Sequence, residues 1–388
     1  MKYILVIDHI ATGGAERILV DYYHYLEKHG HEAHVFVLSG HKGESKWTEG
    51  LNVTYGSGRD ENNLMRKAVQ QFNLYFRLKT LVRKIDPDVI FSFLEKSNLL
   101  TILTSTHATK VVSVHNVLSI QYTKIKSDKV RSLVYGIIKW MYNRCPNVIA
   151  VSKQVKDDLI DSFKVKPENI HIINNYVDRD DIKEKAQELI DNFIFQPDIK
   201  YIMNIGRFSD QKAQWKLIKA FSIYRQQTNE KVELVLMGHG EYTEELKKLA
   251  EKLHISAHTH FLPFNINPYK YMARAYLFAL SSIYEGFPIV LAEVSSLRIP
   301  FIGTQKALPE EMFSNKNFWD ECIFKSSTLE KDFSTEIHQD EKELAALLKK
   351  GIEDTEFREK LLDNTAQWES NNTKTTQFEY YTHFGKNN

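Results

Sequence analysis

Short apolar runs of strand length alternate with segments of helical periodicity along almost the whole chain, and this alternation most narrows the folds open to it. Residues 3–7 form such a run and lead through a glycine turn at 11–14 into a helix over 15–29. That helix lines up Ile18, Leu19, Tyr22 and Leu26 on one face, and Gly30 ends it. Further runs follow at 33–38, 89–93, 111–114 and 148–151, the last three each before a helical segment. Ser152 suits the N-cap of a helix over 154–163. Strands that alternate with helices build parallel sheets with helices on both faces. The expected class is therefore α/β, with doubly wound, Rossmann-like parallel sheets.

From 178 to 200 the pattern turns polar and charged, with Pro197 followed by Asp198, before a second α/β series begins. Its strands are expected at 201–205, 232–237, 259–262 and 275–280, and its helices at 214–226, 243–253 and 269–273. Helical patterns close the chain at 342–352, 356–368 and 373–382. The division is then a first domain over 1–180, a linker over 181–199 and a second domain over 200–370. A helix within 371–388 is expected to pack back toward the first domain. Two doubly wound domains imply a central cleft between facing carboxyl edges, a common place for a ligand.

Composition excludes several classes. The 388 residues suffice for two ordinary domains, and a formal net charge of +1 gives no global argument for nucleic acid. No nucleic-acid module is recognised either. Cys145 and Cys322 are too few for a disulfide framework or a zinc site, which suggests a reducing cytosol. The opening apolar run ends at Asp8, too short for a signal peptide. No uncharged run approaches the ~18 residues of a spanning helix. The expectation is a cytoplasmic protein without a cleaved signal or a membrane span.

Residues that could carry chemistry concentrate in the second half. The stretch 284–294 places Glu285 and Glu293 around a Phe287-Pro288 step. Pro288 suits the first position of a helix, where its missing N–H would be unpaired anyway. Glu285 then sits on the loop at a strand's carboxyl end and Glu293 in the helix that follows. Open α/β sheets bind ligands at that edge, where free helix N–H groups favour anions. Two glutamates at this spacing also fit an ordinary strand-loop-helix, so three further places matter. Asn204-Ile-Gly-Arg-Phe208, followed by Lys212, puts Arg207 and Lys212 on one loop, where they can grip a diphosphate. A solvated basic loop fits those residues too. Met237-Gly-His-Gly240 carries Gly238 and Gly240 in a turn that lets backbone approach a ligand. Phe261-Leu-Pro-Phe264 puts Phe264 near a nucleobase or in the core.

In this combination the chain resembles the retaining glycosyltransferases of family 4, which have the GT-B fold. That family carries Gly-Arg…Lys-Gly, a Gly-x-Gly turn and E-G-x-P-x-x-x-x-E in this order and at about these spacings. The resemblance covers nearly the whole chain. It implies that Arg207 and Lys212 bind the donor's diphosphate and steady charge on the leaving group. Glu285 would contact the donor sugar's hydroxyls and Glu293 the ribose, with Gly238, Gly240 and Phe264 also on the donor side. The stretch Gly286, Phe287, Pro288, Ile289 and Val290 would add backbone N–H groups to the phosphate site. Thr12-Gly-Gly-Ala-Glu-Arg17 matches the family's first glycine loop, so Gly13 and Gly14 would lie close to the donor phosphates. His115, within Val112-Ser-Val-His-Asn-Val117, matches the histidine that faces the transferred sugar. A histidine at a strand end is also commonly structural.

Glycosyl transfer passes through an oxocarbenium-like state with charge building on the departing diphosphate. Preorganised cations and N–H groups stabilise that charge directly, by several kcal/mol together as an order of magnitude. No metal or other cofactor is then expected. Asp178-Arg-Asp180 and Asp86-Pro-Asp88 do spell Asp-x-Asp, the metal signature of the other major transferase fold. One sits at the linker and the other at a helix-to-strand corner, so neither is assigned a metal. Departures from the family are Ala213 and Pro263, each in place of a common glycine, and a region from 303 to 340 that matches poorly.

From 62 to 85 no acidic residue interrupts Arg66, Lys67, Arg77, Lys79, Arg83 and Lys84. Leu64, Ala68, Phe72, Tyr75, Leu78 and Val82 lie there at helical spacing, with Leu74 and Phe76 left over. A second basic stretch sets Lys124, Lys126, Lys129, Arg131, Lys139 and Arg144 against Asp128. Basic amphipathic helices with spare aromatics suit an anionic bilayer, and a solvated face over an ordinary core stripe fits as well. The resemblance implies that the first domain binds the acceptor, a glycan or polyprenyl-diphosphate-linked glycan. The leading expectation is transfer from a nucleotide sugar, first a UDP sugar, in capsule or lipopolysaccharide assembly at the inner face of the cytoplasmic membrane. A sugar-nucleotide 2-epimerase of the same architecture and a non-catalytic sugar-binding subunit are the alternatives. Neither half carries G-x-G-x-x-G followed by an acidic residue, which disfavours a NAD-dependent oxidoreductase.

Overall fold

The alternating pattern folds into two parallel sheets, one in each of two compact units: Met1–Asn175 with Thr375–Asn388, and Tyr176–Lys374. This computed structural model describes the chain apart from residues 11–12, 42–45, 58–63, 191, 327–329 and 387–388. The side chains of residues 46, 64–68, 71, 369 and 385–386 are also outside the described set.

The first unit runs β1 (Lys2–Ile7), α1 (Gly14–Lys28), β2 (Glu32–Ser39), β3 (Val53–Ser57), α2 (Leu64–Ile85), β4 (Val89–Phe93) and α3 (Glu95–Leu103). It continues through β5 (Thr109–Val114), α4 (Leu118–Gln121), α5 (Asp128–Asn143), β6 (Val148–Ala150), α6 (Lys153–Asp161) and β7 (Ile170–Ile172). Its strands pair in parallel in the order β3-β2-β1-β4-β5-β6-β7. The central strands are mostly apolar because helices cover both faces; β4 is buried at every residue, Ser92 included. Ser152 does cap α6, its hydroxyl accepting the Val155 N–H at 3.2 Å.

The second unit runs α7 (Arg179–Lys185), β8 (Lys200–Ile205), α8 (Gln214–Gln227), β9 (Val232–Met237), α9 (Thr243–Lys252), β10 (Thr259–Leu262) and α10 (Tyr269–Met272). Then come β11 (Leu277–Leu280), α11 (Ile289–Ser296), β12 (Phe301–Thr304), α12 (Lys316–Glu321), β13 (Ile323–Phe324), α13 (Gln339–Glu353) and α14 (Thr355–Asn371). Its sheet order is β10-β9-β8-β11-β12-β13. The last helix, α15 (Lys374–Lys386), belongs mostly to the first unit. There Phe378 and Tyr381 pack on Tyr22 at 5.1 and 5.2 Å between ring centres.

Several local expectations change. Residues 181–199 begin inside α7 and lie within the second unit, since Asp178 caps that helix by accepting the Asp181 N–H. Strands β3, β7, β12 and β13 add to the runs read from the sequence. On α2 the core face is Leu74, Leu78, Leu81 and Val82, while Phe72 is exposed. Leu74 therefore belongs to the core stripe and Phe72 does not.

The region that matches the family poorly is tied down by α8. Lys216 meets Asp340 at 2.6 Å with both side chains buried, and it also donates to the Ser326 hydroxyl at 2.6 Å. Lys219, one turn on, meets Asp332 at 2.5 Å and the Glu336 carbonyl at 2.8 Å. Removing one partner of a buried pair strands the other charge in a low-dielectric interior. Asp340→Ala is therefore expected to cost about 3–5 kcal/mol, read as a lower urea midpoint for unfolding.

Candidate active site

The order of the second sheet reverses between β8 and β11, and the loops leaving those two strands carry the charged residues. They are stitched together by backbone and side-chain bonds. The Ile283 N–H donates to the Gln211 carbonyl at 2.8 Å, and the Ser281 hydroxyl to the Lys212 carbonyl at 2.9 Å. Beneath them Asn204 donates to the Ala279 carbonyl at 2.7 Å and Gln214 to the Arg207 carbonyl at 3.2 Å. Ala213 turns the chain into α8 in the left-handed region, at φ 48°. An alanine there costs about 1–2 kcal/mol, so the surrounding bonds hold a conformation that glycine would adopt freely.

On this frame Lys212 Nζ lies 2.6 Å from Glu285 Oε1, with the carboxylate nearly buried and the ammonium partly exposed. Gln211 donates to the other oxygen at 3.3 Å and to the Tyr284 carbonyl at 3.1 Å. Arg207 is exposed and has no side-chain partner among the described residues. Pro288 caps α11, whose first residues Ile289 and Val290 are partly exposed, next to the buried Gly286. Glu293 is buried and accepts the Tyr269 hydroxyl at 3.0 Å.

Other expected residues have different work here. A side chain at Gly238 would strike the Gly206 carbonyl at 2.1 Å, and one at Gly240 the Phe208 carbonyl at 2.2 Å. Those glycines let the β8 and β9 loops approach each other, so the close approach is to the protein's own backbone. The Phe287 ring stacks on Trp368 at 5.5 Å and is core. Phe264 is half exposed.

In the first unit Gly13 caps α1 and Gly14 begins it. A side chain at Gly13 would lie 2.1 Å from the Glu16 carboxylate, so that space already holds an anion, paired with His9 at 3.3 Å. This disfavours a phosphate beside Gly13. His115 follows β5, its Nε2 sharing a hydrogen bond with the Ser113 hydroxyl at 2.9 Å and its ring lying against Phe93. Burial pushes its pKa down to about 4, so the imidazole is neutral at pH 7.

Of the basic residues on α2, the side chains of Arg66 and Lys67 lie outside the described residues. Arg77 donates to the Gly56 carbonyl at 2.7 Å, Lys79 lies over the Tyr75 ring, and Arg83 and Lys84 are exposed. Gln211 and Tyr269, which position the two glutamates, were missed in the sequence; Gln211 carries only its place beside Lys212 as a signal.

The two doubly wound sheets and these loops define a GT-B architecture, and comparison with known proteins agrees. The glycosyltransferase family 4 profile matches residues 12–181, and the glycosyl transferases group 1 profile residues 185–368. The chain belongs to this glycosyltransferase family. It is 27% identical over 82% of its length to a Campylobacter jejuni relative and covers 84% of it. That relative is named N-acetylgalactosamine-N,N'-diacetylbacillosaminyl-diphospho-undecaprenol 4-alpha-N-acetylgalactosaminyltransferase. The structure of Anabaena HepE in complex with UDP superposes with a TM-score of 0.75 at 19% identity, covering 99% of both chains. Sucrose-phosphate synthase from Thermosynechococcus elongatus gives 0.76 at 13% identity, covering 100% of this chain and 98% of that one. These matches do not favour the epimerase alternative.

His115 also sets a pH dependence. Its folded pKa of about 4 lies below the ordinary 6.5, so the unfolded chain binds the extra proton between those values. Its contribution is present above about 6.5 and is lost as pH falls toward about 4. His115→Asn is expected to flatten the decline in urea midpoint across that window relative to the wild type.

Proposed function

We propose that this glycosyltransferase moves a hexosyl or N-acetylhexosaminyl group from a nucleotide sugar, first a UDP sugar, to a glycan or lipid-linked acceptor. The reading includes retention of configuration and no need for a metal. One observation carries it: Lys212 and Glu285, 2.6 Å apart on two stitched loops, with the exposed Arg207 on the same loop as Lys212. Lys212, held there by Glu285, meets the charge that grows on a departing diphosphate without having to reorganise. The first N–H groups of α11 lack intrahelical partners and favour an anion in the same way. Glu285 can bind a sugar hydroxyl while still fixing Lys212. A neutral His115 can hydrogen-bond the sugar without opposing its oxocarbenium character. The name of the Campylobacter relative and the UDP bound to Anabaena HepE support the acceptor and donor classes.

Lys212→Ala and Glu285→Ala are each expected to cut turnover by roughly 10²-fold or more, measured with a panel of nucleotide sugars and glycosyl polyprenyl diphosphates. Near-normal rates in both variants, with unfolding still cooperative, would refute the assignment.

A lipid-linked acceptor would bring the enzyme to a membrane surface, and no helix among the described residues is long and apolar enough to cross one. Helix α5 exposes Val130, Leu133, Ile137 and Trp140, spaced as one stripe, and Lys129, Arg131 and Lys139 share that helix. On α2 the exposed Phe72 and Phe76 rings meet edge to face at 4.7 Å. Apolar side chains among basic ones suit an anionic bilayer, in which the rings and aliphatic chains enter and the cations meet headgroups. Leu133→Glu with Ile137→Glu should abolish flotation with anionic liposomes; flotation equal to wild type would remove the membrane claim.

A further inference from the structure

The order of the first sheet reverses between β1 and β4, the place where open α/β sheets take their ligands. The strand register pairs Ile7 with Phe93 and Phe93 with Ser113. His9, Glu95 and His115 therefore leave three neighbouring strands at one level. Glu95 is set there by Leu94, which turns into α3 at φ 74° and ψ 158°. A bulky residue in such a conformation costs on the order of 1–3 kcal/mol and persists only where its surroundings impose it.

Glu95 Oε1 is enclosed and has no hydrogen-bond partner among the described residues. The polar groups around it are largely satisfied by one another. The Ser97 N–H and hydroxyl both donate to Asp8 Oδ1, at 2.9 and 2.6 Å. The Ser92 hydroxyl donates to Asn98, whose amide donates in turn to the Ser113 carbonyl and the Tyr142 hydroxyl. A second enclosed oxygen without a partner, Gln121 Oε1, lies in α4, on the connection that leaves the neighbouring strand β5. Leaving a buried acceptor unmade costs about 1–3 kcal/mol, so two at one sheet edge point to a group that supplies donors.

The chemistry of that group follows from charge. Asp8, Glu95 and Glu16 make this edge acidic, against Lys96 and His9, which face Asp8, and the neutral His115. Burial, with Asp8 beside it, pushes the Glu95 pKa up to about 7; burial and the same two carboxyls push Tyr122 up to about 12. A diphosphate is repelled by such a lining, whereas neutral hydroxyls are bound by it. The cations suited to a diphosphate lie in the other unit.

We propose that Glu95 anchors the acceptor sugar, its unshared carboxyl oxygen taking a hydrogen bond from a ring hydroxyl of the incoming glycan. This rests on the glycosyl-transfer reading. A hydroxyl that reaches Oε1 gives this acceptor the donor that no described residue supplies.

The test is ligand-observed NMR on the full chain, with UDP and the methyl glycosides of glucose, galactose and N-acetylgalactosamine as probes. At least one glycoside should bind the wild type, bind Glu95→Ala at least about tenfold more weakly (1.4 kcal/mol), and bind Glu95→Gln with intermediate strength. Wild-type affinity should rise as pH passes upward through about 7, as the carboxylate forms, and stay level in Glu95→Gln. Glycosides that bind wild type and both variants equally, or that do not bind at all, overturn the proposal. UDP in the same samples should bind all three proteins alike. Failure of UDP to bind the wild type would count against the donor reading, independently of the glycoside result.

Discussion

An ammonium and a carboxylate 2.6 Å apart hold together the two loops at the point where the second sheet changes direction. Lys212 stands at the end of the β8 loop and Glu285 on the loop that leaves β11, far apart in the chain. The value of their pairing lies in position. The carboxylate is nearly buried and its second oxygen is bonded to Gln211, so the lysine has one place to be. Backbone bonds from Ile283 and the hydroxyl of Ser281 fix the loops before any ligand arrives. The strain at Ala213 and the tight glycine contacts at Gly238 and Gly240 follow from the same requirement, that three loops share one small volume.

The two sheet edges are chemically opposite. The second presents cations and helix N–H groups, as a leaving diphosphate needs. The first presents the enclosed Oε1 of Glu95, the bonded Asp8 and a histidine that burial keeps neutral. A chain that transfers a sugar needs both kinds of surface, one for charge and one for hydroxyls. Each is built at a switch point, so the fold supplies the location and the loop residues supply the chemistry.

How much of this was legible in the sequence depends on how local the cause was. The strand 89–93 was read to the residue because a parallel strand buried on both faces is a nearly continuous apolar run, here broken by Ser92 alone. Edge strands β3 and β13 were missed: the first is polar and half-buried, and the second is two residues long. On α2 the apolar residues outnumber what the core accepts, and the sequence alone could not tell that Leu74 goes in and Phe72 stays out. Among the site residues, Arg207, Lys212, Glu285 and Glu293 stood out through spacing in one loop or one helix. Glycines 238 and 240 were visible, but the object they accommodate was not, because it is another segment of the same chain. Glu95 gave no motif at all. Its significance arises from the register of three strands and from an absent partner, and both are properties of the folded state. The segment from 303 to 340 looked foreign for a similar reason: its anchors, Lys216 and Lys219, lie more than a hundred residues earlier.

The most direct measurement compares UDP with uridine by titration calorimetry on wild type and Lys212→Met. If Lys212 holds the diphosphate, wild type prefers UDP strongly, and the variant loses about tenfold or more of that preference, 1.4 kcal/mol, with uridine binding unchanged. An equal UDP-to-uridine preference in both proteins would contradict the role assigned to the ion-paired lysine.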